Sequence, residues 1–222
     1  MNNELLKRFY DLVYKYKEGH LGSCLTALPI IYNIYKDKKP DDIFILSSGH
    51  AAIAWYLVLE YFNVTKSADI LYEKHGVHPN LDIDNGISCS AGSLGHGLGI
   101  SIGIALAQPN IRVHCLISDG EAAEGSIYES LNMIRDYNIP NITVHVNANG
   151  FAGYKTVDTH RLENILYTIL DNKHKQLIFY HTNPILDVPY LHGFQAHYSR
   201  LTEQDYQDFQ RMYNEKTLCF IS

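Results

Sequence analysis

The feature that most constrains this chain is a pair of apolar strands, each ending in a short polar segment that contains glycine. Residues 111–117, IRVHCLI, run into Ser118-Asp119-Gly120, and residues 142–146 run into Asn147-Ala148-Asn149-Gly150. A helical pattern over 122–137 separates the two strands. Strand, helix and strand in that order predict a right-handed βαβ unit with parallel strands. We therefore expect an α/β fold with a mostly parallel central sheet flanked by helices.

The rest of the chain continues this alternation. Hydrophobic periodicity predicts further strands at 44–46 and 176–180 and helices at 4–17, 25–35, 51–62, 100–107 and 159–170. Pro29 is expected in the first turn of its helix, where a missing N–H is harmless. Thr202 and Asp205 predict a capping box for a last helix. Because the sequence shows no repeat and no linker, we expect a single domain over residues 1–222.

Composition excludes several classes of protein. The net charge is −6 and there is no basic run, so nucleic acid is not an expected partner. The charged N-terminus is not typical of a signal peptide, and no apolar run approaches the ~20 residues of a membrane span. The four cysteines lie far apart, which favours neither a zinc site nor a disulfide framework. We expect a cytoplasmic protein with reduced thiols.

The ends of the two strands indicate a ligand site. In an open parallel sheet, ligands bind beyond the carboxyl ends of the strands. Here these ends carry the carboxylate of Asp119 and the amides of Asn147 and Asn149, which are oxygen ligands suited to Mg²⁺. A helix starting near Ala122 would add N–H donors for an anion. Either segment alone is more typical of an ordinary turn. Their occurrence on successive strands, after the glycine-rich loop 75–99, favours a site.

At this point the chain resembles a known family. Asp119-Gly120 through Asn149 is similar to the GDG…N motif of thiamine-diphosphate enzymes. Segments 19–23 (GHLGS), 48–51 (SGHA), 77–79 (VHP) and 91–97 (AGSLGHG) match transketolases in the same order, and the tail 196–206 resembles the end of the same domain. The resemblance covers roughly residues 4–210. It implies a three-layer thiamine-diphosphate-binding fold.

The resemblance also implies roles for particular residues. The side-chain oxygens of Asp119 and Asn149 and the carbonyl of Phe151 would bind Mg²⁺ or Ca²⁺, and the metal would neutralise the diphosphate. Gly120 would let the backbone approach a phosphate oxygen, and Glu124 matches an acidic residue near a subunit interface. The positions that match cofactor-binding residues are Ser23, His50, Gly92, Ser93, Leu94, Gly120, Glu124 and Asn149.

Apart from His96, the histidines fall into two groups. His20, His50, His78 and His197 match substrate-side histidines that bind the oxygens of a ketose and shuttle protons. Imidazole suits that chemistry because its ordinary pKa lies near neutral pH. The other histidines match nothing in the family, and we expect them to serve packing or to lie on the surface: His75, His114, His145, His160, His174, His181 and His192.

The chain departs from the family in ways that bear on function. His96 stands where Gln is usual, Ser48 where Lys or Asn is usual, and residues 182–187 replace a Lys-Gly-x-Gly segment. The glutamate that activates the cofactor, supplied by a pyrimidine-binding domain, has no candidate here. We expect a split transketolase that moves a two-carbon ketol unit between sugars or sugar phosphates, completed by a pyrimidine-binding partner in a heterotetramer with two copies of each chain.

Two other functions remain open on the sequence. One is the thiamine-binding subunit of an α-keto-acid decarboxylase or acyl-transfer enzyme. The other is a non-catalytic regulatory subunit that has lost activity.

Overall fold

The central sheet is parallel throughout. The computed structural model describes residues 3–171, 175–183 and 197–215. Its four strands are β1 (Ile43–Leu46), β2 (Val113–Ser118), β3 (Ile142–Ala148) and β4 (Leu177–His181), in the order β1-β2-β3-β4. The predicted α/β fold class is confirmed. Because all four strands point the same way, their carboxyl ends meet at one edge.

Helices surround the sheet. In chain order they are α1 (Asn3–Tyr16), α2 (Leu21–Asp37), α3 (Ala52–Tyr61), α4 (Ala68–His75), α5 (His96–Ala107), α6 (Gly125–Asp136), α7 (Thr159–Ile169) and α8 (Glu203–Asn214). Short 3-10 turns lie at Gly49–Ala51, Ile83–Asn85 and Glu121–Ala123. The predicted capping box starts α8: Thr202 accepts a hydrogen bond from the Asp205 N–H, and the Asp205 side chain accepts one from the Thr202 N–H. Within the described residues, no helix is both long enough and apolar enough to cross a membrane.

Alternate strand residues point into two separate cores. Phe44, Leu46 and Leu116 pack with the helices α1 to α3, whereas Ile45 and Ile117 pack with α5, α6 and α7. This alternation is the two-residue period of a strand that is covered on both faces. The result is the three-layer arrangement that the resemblance implied.

The structure corrects several predicted boundaries. Helix α4 was not predicted, and α5 begins at His96 rather than Ile100, which shortens the expected 75–99 loop. The start of α5 contains polar and glycine residues, so hydrophobic periodicity did not indicate a helix there. Helix α6 begins at Gly125 rather than Ala122, since the residues directly after Gly120 form a 3-10 turn instead.

Pro29 was also placed wrongly by the sequence. Helix α2 starts at Leu21, so Pro29 lies in its interior and not in its first turn. An interior proline costs a helix about 3 kcal/mol, which local propensity cannot offset. The helix is buried on nearly all sides, and the Thr26 hydroxyl donates to the Gly22 carbonyl at 3.0 Å. Tertiary burial therefore decides this helix against its local sequence.

The contact of Gly97 with the end of β1 generates a stability prediction. A Cβ at Gly97 would lie 2.5 Å from the Ser47 side chain and 2.7 Å from its Cα, whereas a Cβ at Gly103, on the same helix, would meet nothing within 4 Å. Gly97→Ala should destabilise the chain by about 1–3 kcal/mol through overpacking. Gly103→Ala should stabilise it by roughly 0.5–1 kcal/mol through helix propensity.

Chemical denaturation followed by the fluorescence of Trp55, which is fully buried, measures both effects. Equal responses from the two variants would contradict the close approach of α5 to β1.

Candidate active site

The ends of β2 and β3 are joined by direct hydrogen bonds. The Asp119 carboxylate accepts from the Gly150 N–H at 2.6 Å and from the Gly120 N–H at 2.9 Å. The Asn149 side-chain oxygen accepts from the Phe151 N–H at 3.0 Å. Gly150 has φ +85°, a conformation that favours glycine. The two polar segments predicted from sequence therefore form one cluster of oxygen and N–H groups, the strand-end cluster.

The Asp119 carboxyl group lies in surroundings that disfavour its negative charge. It is buried, with 2% of its surface exposed, and burial raises its pKa to about 6 against the opposing effect of its backbone hydrogen bonds. In the described part of the chain no lysine or arginine pairs with it. A buried carboxylate without a cationic partner is favourable only if something compensates its charge. An oxygen-binding cation would do so.

A layer of polar side chains supports this cluster from α2. The Asn147 amide donates to the Thr26 hydroxyl at 2.9 Å and its oxygen accepts from the Thr182 hydroxyl at 3.0 Å. Because the Thr26 hydroxyl also contacts the Gly22 and Ser23 carbonyls, the turn of α2 that carries Ser23 is held against the strand ends. Asn147, expected from sequence to be a site amide, uses its side chain to support the cluster.

Glu121 is the residue that sequence reasoning missed. It is fully buried, and its carboxylate accepts from the Ser47 hydroxyl, from the Gly95 N–H at 2.6 Å and from the Ser118 N–H at 3.3 Å. Burial raises its pKa to about 6. Glu121 thereby ties the ends of β1 and β2 to the glycine-rich loop. A glutamate directly after the Asp-Gly pair was the available signal.

The glycine-rich loop makes close backbone contacts with the site. A Cβ at Gly92, whose φ is +136°, would lie 2.9 Å from the His78 ring. A Cβ at Gly49 would lie 2.7 Å from the Gly92 nitrogen. Ser93 and Leu94 follow in the loop and are exposed. Glycine is therefore needed where this loop meets His78 and the start of α3.

Glu124 and Gly120 occupy distinct places around the loop. Glu124 is exposed at the N-terminus of α6, and its side chain lies against Gly95, where an added Cβ would approach it to 3.0 Å. Gly120 packs on Ala152, since an added Cβ would be 3.1 Å from the Ala152 Cα. The structure thus places Glu124 on the surface next to the loop and Gly120 inside the strand-end cluster.

Three of the four predicted histidines form one cluster. The ring centroids of His20 and His50 are 5.2 Å apart, those of His50 and His197 are 5.7 Å apart, and those of His20 and His197 are 5.9 Å apart. His78 lies against Gly92 and is close enough to His50 to act on its charge. These residues are distant in sequence, so the fold brings all four to one place.

The environment of His50 keeps its ring neutral. Burial lowers its pKa to about 3, and the neighbouring histidines His20, His197 and His78 add to the effect. A neutral imidazole can donate one hydrogen bond and accept one, but it is a weak proton donor. His50 is therefore suited to orienting a ligand through hydrogen bonds at neutral pH.

His197 joins the histidine cluster to the strand-end cluster. Its Nδ1 lies 3.1 Å from the Phe151 carbonyl oxygen, which can only accept, so Nδ1 carries the proton and Nε2 is the other nitrogen. Burial lowers the pKa of His197. The neighbouring Tyr198 ring lies 5.0 Å from His20 by ring centroid, and Ser199 forms an isolated parallel bridge with His20.

Glu18 fixes His20 from the opposite side. The buried carboxylate accepts from the Gly19 N–H at 2.7 Å, the His20 N–H at 3.0 Å and, 3.2 Å away, the His20 Nδ1. The Tyr72 hydroxyl donates to its other oxygen at 3.1 Å. Burial alone would raise the pKa of Glu18, but the contacts from His20 bring it below its ordinary value. In a neutral His20 ring, this leaves the proton on Nδ1.

The other histidines among the described residues lie apart from this cluster. His75 contacts Asp82 at 3.0 Å, and His114 contacts His145 at 3.0 Å within the sheet. His160 and His181 lie together on α7 and β4. His174, His192, Ala196 and residues 184–187 of the altered 182–187 segment fall outside the described residues. Of the unusual positions, Ser48 is buried and His96 is exposed.

Comparisons with known proteins identify the family and the fold. A model described as "Transketolase, thiamine diphosphate binding domain" matches residues 5–153. An apulose-4-phosphate transketolase subunit of Phocaeicola vulgatus is 28% identical, in an alignment that covers 95% of this chain and 91% of that protein. Human transketolase-like protein 2 is 32% identical over 59% of this chain but only 24% of its own length. The chain thus spans most of one relative and about a quarter of the other.

Solved structures show the same fold. A transketolase from Pichia stipitis, in complex with sedoheptulose-7-phosphate, superposes with a TM-score of 0.70 at 17% identity, over 94% of this chain and 41% of that chain. A transketolase from Campylobacter jejuni gives a TM-score of 0.64 at 18% identity, over 96% of this chain and 43% of that chain.

The contact between Glu18 and His20 generates a prediction about the tautomer of the ring. Glu18→Ala removes the acceptor, so neutral His20 should no longer be held in the Nδ1–H form. Glu18→Gln should retain that form, because its amide oxygen can still accept from the two backbone N–H groups and from Nδ1. Nitrogen chemical shifts of the His20 ring, measured by NMR at a pH where the ring is neutral, report this directly. Glu73→Gln, at an exposed carboxylate on α4, is the matched control and should leave the ring unchanged. A wild-type tautomer in Glu18→Ala would show that Glu18 does not position the ring.

Proposed function

We propose a function from the premise that this chain belongs to the transketolase family, since the model of that family's thiamine diphosphate binding domain matches residues 5–153. The chain is the thiamine-diphosphate- and metal-binding subunit of a split transketolase, and it transfers a two-carbon ketol unit between sugars. The observation that carries the proposal is the 3.1 Å contact between His197 and the Phe151 carbonyl. It joins a cluster of histidines suited to sugar oxygens to a cluster of oxygens suited to a cation.

The strand-end cluster fits the metal and the diphosphate. The Asp119 carboxylate, the Asn149 amide oxygen and the Phe151 carbonyl are hard oxygen ligands, which Mg²⁺ and Ca²⁺ take in proteins. A cation there would compensate the buried charge of Asp119. Gly120 offers its backbone to the phosphates, and the other positions proposed to contact the cofactor lie around it: Ser23, His50, Gly92, Ser93, Leu94 and Glu124.

The histidines supply binding and proton transfer to the sugar. When bound, thiamine diphosphate supplies the stabilisation of a carbanion that breaking a carbon–carbon bond requires. The Nδ1 atom of His20 is held by Glu18 and that of His197 by the Phe151 carbonyl, so Nε2 is the nitrogen of each ring that we propose for the substrate. His50 acts as a neutral ring, and the exposed His78 lies against Gly92 in the loop. We assign these four residues to substrate oxygens and proton movement.

A partner chain completes the site. Helix α5 exposes apolar side chains, among them Ile100 at 40% and Leu106 at 53%, and α6 adds Met133 at 39%, with Tyr137 directly after it at 68%. Exposed apolar surface of this kind marks association. The relative that this chain spans almost in full is, by its name, one subunit of a transketolase. We propose that the α5–α6 face, defined by these four residues, lies in the interface of a heterotetramer of two copies of this chain and two pyrimidine-binding partners.

The described thiols support a reducing compartment. Cys24, Cys89 and Cys115 are buried and unpaired, as is usual in a reducing compartment. We propose that the protein works in the cytoplasm, in carbohydrate metabolism.

The metal ligands predict a binding defect. Asp119→Ala should reduce the affinity for thiamine diphosphate and Mg²⁺ by at least ~100-fold. Losing one charged ligand contact has an effect of this size, since about 1.4 kcal/mol corresponds to a tenfold change in affinity. Calorimetry with cofactor and metal on the assembled complex measures it. Asp84→Asn, an exposed carboxylate on a surface turn, is the control and should bind as wild type. Undiminished binding by Asp119→Ala would rule out this metal site.

The α5–α6 face predicts dependence on a partner. Alone, the chain should show no ketol transfer with saturating cofactor and metal, and activity should appear on adding a pyrimidine-binding chain. Replacing Ile100 and Leu106 by Glu should abolish assembly in analytical ultracentrifugation, because two charges would be buried without partners. Ile70→Glu, at a comparably exposed isoleucine on α4, should assemble normally. Ketol transfer by the single chain would contradict the split arrangement.

A further inference from the structure

We propose that the chain carries a second metal site, for Zn²⁺, formed by His160, Glu163 and His181. One ligand atom from each residue lies within 4.8 Å of the others. The cluster belongs to α7 and β4, and none of its residues takes part in the candidate active site. By the sequence alone, its two histidines were assigned to the surface or to packing.

Local geometry brings the three side chains together. His160 and Glu163 are three residues apart on α7 and so share one face of the helix. His181 is the last residue of β4, and it reaches across to α7: its Nε2 lies 2.8 Å from a Glu163 carboxylate oxygen. The His160 and His181 rings stack with centroids 4.7 Å apart. A helix and a strand therefore present one cluster of two imidazoles and one carboxylate.

A simple surface ion pair does not account for the whole arrangement. The pair of His181 with Glu163 would on its own contribute at most about 1 kcal/mol. It does not explain why a second imidazole is stacked beside it. Toward the described residues, the His160 ring makes this stacking contact and no hydrogen bond. A metal ion would use a ring nitrogen of His160 together with the other two ligands.

The ligand set selects the class of metal. Two imidazoles and one carboxylate, with a fourth position left for water, are a known ligand set of Zn²⁺. The cluster differs in kind from the Asp119 cluster, whose ligands are all oxygen and suit Mg²⁺ or Ca²⁺. The side chains of His181 and Glu163 are 37% and 26% exposed, so an ion can enter from solvent. The two sites should therefore be occupied independently.

The bound ion would fasten α7 to β4 near the active site. His181 lies opposite Ala148 in the sheet, one residue before Asn149. The next residue, Thr182, donates to the Ala148 carbonyl at 3.1 Å and to the Asn147 side chain at 3.0 Å. A ligand that fixes His181 thus fixes the strand that supports the site amides. The role we assign to the ion is structural.

Metal titration of the full chain, purified without a histidine tag, tests the proposal. Zn²⁺ calorimetry should give one site per chain in excess Mg²⁺, and Zn²⁺ should raise the midpoint of thermal unfolding, as any ligand of the folded state does. His181→Ala, His160→Ala and Glu163→Gln should each weaken Zn²⁺ binding by at least ~10-fold, the effect of losing one of three ligands at 1.4 kcal/mol per tenfold. Binding should also weaken on acidification, because imidazole binds metal only when neutral.

Matched controls separate this site from others. His96→Ala removes an exposed histidine outside the cluster, and Asp119→Ala removes the oxygen site; both should bind Zn²⁺ as wild type. Co²⁺ should give the absorption of nitrogen and oxygen ligands without a thiolate charge-transfer band. Absence of Zn²⁺ binding, binding that survives all three cluster substitutions, loss of binding in Asp119→Ala, or a thiolate band would each overturn the proposal. Without metal, the variants should unfold at the same temperature as the metal-free wild type, which excludes a folding defect.

Discussion

The parallel pairing of β2 with β3 is the constraint on which the site depends. Ser118 lies opposite Asn147, so the residues that follow the two strands leave the sheet side by side. Only in this register can the Asp119 carboxylate reach the Gly150 N–H at 2.6 Å. A shift by one residue would turn the alternating side chains to the wrong core and separate the two polar segments. Burial on both faces of the sheet, by two sets of helices, fixes the register.

Three buried carboxylates organise the space beyond these strand ends, each in its own way. Glu121 accepts only from protein donors and joins β1, β2 and the glycine-rich loop into one framework. Glu18 accepts from backbone and side chains and orients His20. Among the described residues Asp119 has backbone donors alone, and burial raises its pKa to about 6, as it does that of Glu121. Glu18 and Glu121 also accept from side chains, which leaves Asp119 as the carboxylate that we propose for the metal.

The histidine cluster shows why the fold matters for chemistry. His20, His50 and His197 lie within 6 Å of one another by ring centroid, so positive charges on these rings would repel. Burial lowers the pKa of His50 and of His197, which keeps these two rings neutral at neutral pH. Neutral imidazoles can accept and donate hydrogen bonds to a polyhydroxylated ligand.

The sequence by itself determined the alternation of strands and helices, the family, and the residues around Asp119 and Asn149, because these depend on local patterns of apolar residues and on motifs of fixed spacing. It did not determine the start of α5, the interior position of Pro29 or the role of Glu121. Each of these depends on partners far away in the chain: Ser47 against Gly97, the burial of α2, and the meeting of β1 with the glycine-rich loop. The tertiary structure decided them, because burial and hydrogen bonding between distant segments outweigh local preference.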